Sequence, residues 1–107
     1  MEVSVRLDFY GVDSTTREIL RAYGESQVRR ALHGDRNAIT RATLTLGREH
    51  LPGSFERWTA RLDLTSRWGA AHAVRVTARA TRPQAAIADV LLSGWSELHA
   101  ADVREVG

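Results

Sequence analysis

The stretch that decides the fold is Ala71-His-Ala-Val-Arg-Val-Thr-Ala-Arg-Ala80, followed without a break by Thr81-Arg-Pro-Gln-Ala-Ala-Ile-Ala-Asp-Val-Leu-Leu-Ser-Gly-Trp-Ser-Glu-Leu98. In its first part His72, Val74, Val76 and Ala78 alternate with Ala73, Arg75, Thr77 and Arg79, the two-residue period of a strand with one buried face. In its second part Ile87, Val90, Leu91, Gly94, Trp95 and Leu98 recur at intervals of three and four, which makes one apolar helical stripe. A strand that hands over to a helix presents two apolar surfaces, and the rest of the chain must cover them.

Towards the amino terminus, Val3, Val5, Leu7 and Phe9 alternate with Ser4, Arg6, Asp8 and Tyr10, a half-buried strand ended by Gly11. Thr15-Thr-Arg-Glu18 has the spacing of a capping box and predicts a helix start. Ile19, Leu20, Tyr23, Val28, Ala31 and Leu32 supply its apolar side, interrupted by Gly24 at a cost of about 0.5–1 kcal/mol relative to alanine. Gly34 is the expected stop, and Arg29, Arg30 and His33 complement the helix dipole in the last turn.

Thr40, Ala42, Leu44 and Leu46 against Arg41, Thr43 and Thr45 give a second strand. Residues 47–56, with Pro52-Gly53 as turn signal, read as a loop, and Trp58, Ala60, Leu62 and Leu64 as a third strand closed by a turn at 66–70. Thr81 is placed to cap the second helix. Trp58 and Trp95 stand in apolar registers and read as core, whereas Trp68, beside Arg67 in a turn, either stacks on a partner or folds back over the sheet edge.

The order is therefore β-α-β-β-β-α. A strand, helix, strand unit favours a right-handed crossover between adjacent parallel strands, and short connections make the last three strands an antiparallel meander. Since each strand has one apolar side, both helices belong on that side. The expected fold is α+β, a two-layer sandwich with a four-stranded mixed sheet and two helices on one face.

The 107 residues suffice for one domain, residues 1–107, able to bury roughly 60–70% of its unfolded surface without staples. The absence of cysteine excludes disulfides, thiolate catalysis and sulfur-ligated zinc. All fifteen basic side chains are arginine, which excludes a P-loop lysine, a Schiff base and a lysine general base. The charged, alternating amino terminus contains neither a signal peptide nor a membrane span, and the reading is cytoplasmic. The net charge of +2 is unevenly spread: residues 50–82 carry six arginines against two acids, and residues 83–107 one against four.

The open sheet face would carry Arg6, Asp8 and Tyr10; Arg41, Thr43 and Thr45; Arg57, Thr59, Arg61 and Asp63; and Arg75, Thr77 and Arg79. Such an arginine and threonine lattice is either ordinary solvated sheet in which Asp8 and Asp63 pair with neighbours, or a surface that tracks phosphates or a partner. Catalysis is not indicated. No G-x-S-x-G, G-x-G-x-x-G or H-E-x-x-H occurs, the four histidines fall in separate elements, and the best remaining pair, His72 with Asp63, lacks an activating neighbour. No cofactor and no metal is expected.

The element order, the length and the run Ala85-Ala-Ile87 opening the second helix resemble the ribosome hibernation promoting factors, also called ribosome-associated inhibitor A or σ54 modulation proteins, in their short form without a dimerisation domain. Ala85, Ala86, Ile87, Val90, Leu91 and Leu98 occupy that family's core helix positions, while Ser93 and Ser96 stand where it typically has lysine or arginine. The resemblance implies a fold shaped like a double-stranded RNA-binding domain that docks on the small ribosomal subunit and keeps it idle. The residues expected to bind ribosomal RNA are Arg17, Arg21, Arg29 and Arg30 on the first helix, and Arg75, Arg79 and Arg82 at the strand-to-helix junction. The alternative keeps the fold as a protein-interaction module or a homodimer formed through the sheet face or an edge strand.

Overall fold

Alternation becomes four strands and the two stripes become two helices, in the order β1 (Ser4–Tyr10), α1 (Ser14–Leu32), β2 (Ile39–Leu51), β3 (Phe55–Ser66), β4 (Gly69–Ala80) and α2 (Pro83–Val106). This computed structural model describes residues 3–32, 39–66 and 69–106, with the backbone alone at 69–72 and 98–106. One sheet runs β1-β2-β3-β4, with β1 parallel to β2 and the later pairs antiparallel. The helices pack on one side of it, α1 against β1 and β2 and α2 against β3 and β4, so the α+β sandwich is as expected.

The two central strands hold the core. Ala42, Leu44 and Leu46 from β2 and Trp58, Ala60, Leu62 and Leu64 from β3 are buried under Leu20, Val28 and Leu32 of α1 and Ala86, Ile87 and Val90 of α2. Burial of each large aliphatic side chain contributes about 1.5–3 kcal/mol. Edge-strand residues such as Val5, Leu7, Val74 and Val76 are half-buried against this cluster.

Gly24, expected as an interruption of α1, is instead its seat. A Cβ there would lie 2.6 Å from Leu7 Cδ2 and 3.3 Å from Leu44 Cδ2. Gly94 seats α2 in the same way, with a Cβ position 2.9 Å from Leu62 Cδ2. A helix that rests so close to a sheet buries a narrow stripe, here Leu20, Gly24, Val28 and Leu32 on α1. The broader expected stripes are corrected accordingly. Ile19 (65% exposed) lies outside, and so does Trp95 (49%), which is not the core residue that its register suggested.

Helix starts also differ from expectation. Asp13, not Thr15, caps α1: its Oδ2 accepts from the Thr16 amide at 3.0 Å and its carbonyl from the Arg17 amide at 2.9 Å. A carboxylate one residue before the helix outcompetes a hydroxyl inside it, because it meets the free amides and the positive dipole end together. At α2 the Arg82 carbonyl accepts from the Ala86 amide at 3.1 Å, so Arg82 rather than Thr81 holds the cap position and Pro83 opens the helix, where proline lacks nothing.

The predicted loop at 47–56 is mostly strand. Pairing continues through Arg48↔Trp58, Glu49↔Arg57, His50↔Glu56 and Leu51↔Phe55, leaving residues 52–54 as the turn. Opposite charges lock this arm on both faces: Arg48 with Glu56 on the helix side, and Arg57 with Glu49 at 2.6 Å on the other. Arg48 also stands 5.8 Å over the Trp58 ring and 3.8 Å from Asp13, tying the arm to the α1 cap. Strand pairing likewise reaches Ser66↔Gly69, into the expected turn at 66–70. The expectations for His33, Gly34, Arg67 and Trp68, and for the side chains of His72, Leu98 and His99, fall outside the described residues.

Three outcomes follow for stability. Leu44→Ala lowers the free energy of unfolding in urea by about 2–5 kcal/mol through cavity formation, and Gly24→Val lowers it by about 1–3 kcal/mol by lifting α1 from its seat. The Asp13 carboxyl is held below its usual range by the hydrogen bonds from Thr16 and, secondarily, by Arg48. A depressed carboxylate stabilises the fold above its unfolded pKa and loses that effect as pH falls through the folded value. Asp13→Asn therefore lowers the thermal midpoint at pH 7, and the difference from wild type closes in acid.

Candidate nucleic-acid interface

Strand register turns the open face of the sheet into a lattice of cross-strand rows. One row runs Arg6, Thr43, Asp63, Arg75; the next Asp8, Thr45, Arg61, Thr77; the next Tyr10, Gly47, Thr59, Arg79. Beyond these lies Glu49 opposite Arg57, and at the other end Ser4, Arg41 and Thr65. Every residue expected on this face is there, because the two-residue period is unbroken from Arg41 to Glu49 and from Arg57 to Thr65.

Ion pairs answer part of the charge. Arg6 bonds Asp8 at 3.1 Å, while Asp63 receives both Arg75 and Arg61, the latter at 3.3 Å. Arg41 and Arg79 have no ion-pair partner among the described residues, although both are exposed. With Glu49 and Arg57 included, the face holds six arginines against three acids. The middle is neutralised and the positive surplus falls towards its ends.

Tyr10 is the feature that residue-by-residue reading misses. Its ring lies across Gly47, where a Cβ would stand only 1.7 Å from Tyr10 Cζ, and the side chain remains 48% exposed. The signal was present in the parallel register, which sets a tyrosine directly beside a glycine, but register follows only from the fold. Glu49 was hidden by the loop reading, and with it the pairing of Glu49 with Arg57, although Arg57 itself was expected on this face. Their symmetric placement about Pro52-Gly53 is the pattern of a charged hairpin.

The seven arginines expected to bind RNA do not gather on one surface. Arg75 and Arg79 lie on the open face. On α1, Arg21 stands 5.7 Å over the Phe9 ring, and Arg29 bonds both Glu25 and the Val3 carbonyl at 3.1 Å, which ties the helix to the edge strand. Arg17 and Arg30 are exposed on α1 without an ion-pair partner among the described residues, and Arg82 is exposed at the start of α2. Among the described residues no group of three or more His, Asp or Glu is placed to hold a metal ion, and no helix is long and apolar enough to cross a membrane.

No protein-family model matches the chain, and no curated protein matches it in sequence. Solved structures do match in shape. A ribosomal subunit interface protein from Coxiella burnetii superposes with a TM-score of 0.74 at 13% identity, over 94% of this chain and 99% of that one. The Protein Y N-terminal domain from Thermus thermophilus does so with a TM-score of 0.64 at 18% identity, over 92% and 96%. Both are hibernation-factor family members, so the resemblance read from the sequence is borne out in the fold.

The Asp63 pairing sets one expected outcome. Asp63→Asn frees Arg61 and Arg75 together, and the variant elutes from an immobilised polyanion such as heparin at higher salt than wild type. Arg30→Ala, on the other layer, provides the comparison and elutes at lower salt or unchanged.

Proposed function

We propose that the chain is a non-catalytic, ribosome-associated hibernation factor that works in the cytoplasm and binds small-subunit RNA through arginines. The observation that carries this reading is the match in shape with a ribosomal subunit interface protein over 94% of this chain and 99% of that one. Charge supports it. Arg17, Arg30, Arg41, Arg79 and Arg82 are exposed without ion-pair partners among the described residues, and neutralised phosphates supply most of the affinity in such complexes. Arg21 and Arg29 double as packing groups, so their contribution to binding is combined with one to the α1–β1 contact.

A second reading, a self-associating module, is favoured by the free edge of β4 and by Leu92, 66% exposed on α2. Co-sedimentation with 30S subunits over a salt series separates the two. The ribosomal reading expects the protein in the pellet at low salt with a steep loss as salt rises, and weaker pelleting for a combined Arg17→Ala, Arg30→Ala and Arg82→Ala variant. Protein that stays in the supernatant at low salt, and scatters light as a dimer, overturns it in favour of the module.

A further inference from the structure

We infer that the open sheet face is a binding platform for single-stranded RNA, with Tyr10 as the stacking base and Arg79 and Arg41 as phosphate contacts. The inference goes beyond association with the ribosome, since the face would take an unpaired strand from any source. Three observations meet here. At the carboxy-terminal end of edge strand β1, the Tyr10 ring lies over Gly47 in the space a Cβ there would need, and the residue remains 48% exposed on the open face. A ring pinned in this way loses little further freedom when a base stacks on it, and stacking tolerates any base because each has a π-face. Rigid aromatics on a four-stranded sheet are the means by which sheet surfaces read unpaired bases.

The second observation is charge. Arg79 shares the cross-strand row of Tyr10, two strands beyond Gly47, and has no ion-pair partner among the described residues. Arg41 lies six residues before Gly47 on β2, about 20 Å along the strand at roughly 3.3 Å per residue. Unmatched cations therefore stand on either side of the row that Asp63 neutralises, one row away at Arg41 and two rows away at Arg79, an arrangement that suits an extended polyanion better than a single phosphate. The third is shape: the face has no covering element among the described residues, because both helices use the opposite side. A rigid duplex gains nothing from an exposed ring, since its bases are already stacked, so the platform selects unpaired strands.

The test is fluorescence anisotropy with a labelled uridine-rich oligonucleotide of about 12 nucleotides, long enough for a typical single-strand site. Wild type binds at low salt. Tyr10→Ala weakens binding by about tenfold, the loss of one base–aromatic stack, while Tyr10→Phe retains it. Arg79→Ala and Arg41→Ala each weaken binding and flatten its salt slope, and Ser93→Ala, exposed on the helix layer, leaves affinity unchanged. Circular dichroism on each variant verifies the fold, and the exposed Arg79→Ala variant carries the test if Tyr10→Ala is unfolded. The inference is overturned if wild type does not bind the oligonucleotide, if Tyr10→Ala and Arg79→Ala bind as wild type, or if duplex RNA of the same length competes equally. Pelleting of folded Tyr10→Ala with 30S subunits at wild-type levels, together with unchanged oligonucleotide binding, removes the platform and leaves the ribosomal reading standing.

Discussion

Both helices rest on the sheet at a glycine, and much else follows from that contact. Gly24 and Gly94 bring helix backbone against Leu7, Leu44 and Leu62, where any Cβ would already be in contact or closer. Close seating lets four buried leucines of the two central strands fill the space between layers with few other large side chains. It also narrows what each helix buries, so Ile19, Tyr23 and Trp95 retain substantial exposure although their spacing is that of a core stripe. Two helices seated side by side cover one face of a four-stranded sheet, and no further element is described that could cover the other. The arginine and threonine face is open for that reason.

Parts of this were legible in the sequence. A two-residue period is unambiguous over seven residues, so the four strands, their apolar sides and the outward set from Arg6 to Arg79 could be placed one by one. Element order then determined topology, because a strand-helix-strand unit has one favoured handedness and short connections favour hairpins. Boundaries were harder to place. Residues 47–56 look like a loop because their strand character resides in paired charges, Arg48 with Glu56 and Glu49 with Arg57, which acquire meaning only across the hairpin. The Asp13 cap was masked by a better-known motif two residues later. Trp95 was misplaced because a helical period gives the direction of a face but not how wide a stripe the partner sheet will accept.

The candidate site was legible as composition and not as geometry. A count of arginines on the open face suggests strong positive charge, yet Asp63 holds two guanidinium groups and Asp8 and Glu49 one each, so the count overstates what a ligand would meet. These acids also make the face possible. Arg61 and Arg75 project from adjacent strands, where like charges at neighbouring positions oppose pairing, and a carboxylate between them turns repulsion into a small gain. What remains available is set by which arginines the acids cannot reach. Arg41 and Arg79 lie in rows on either side of that of Asp63, and neither forms an ion pair among the described residues.

The division of basic residues between two layers bears on how such a protein could act. Arg17, Arg30 and Arg82 belong to the helix layer and its end, Arg41 and Arg79 to the sheet, and the sandwich core lies between the two groups. A ligand small enough to touch one layer cannot reach the other, whereas a partner that surrounds the domain meets both. The uncharged Ser93 and Ser96 on α2 weaken the helix layer as a phosphate surface relative to the hibernation-type pattern, and the acidic residues of 83–107 weaken it further. If the domain binds RNA as proposed, its affinity draws more on the sheet side than the helix pattern alone would imply. Tyr10 matters in that setting because stacking is a source of affinity that nearby carboxylates do not cancel and salt does not screen.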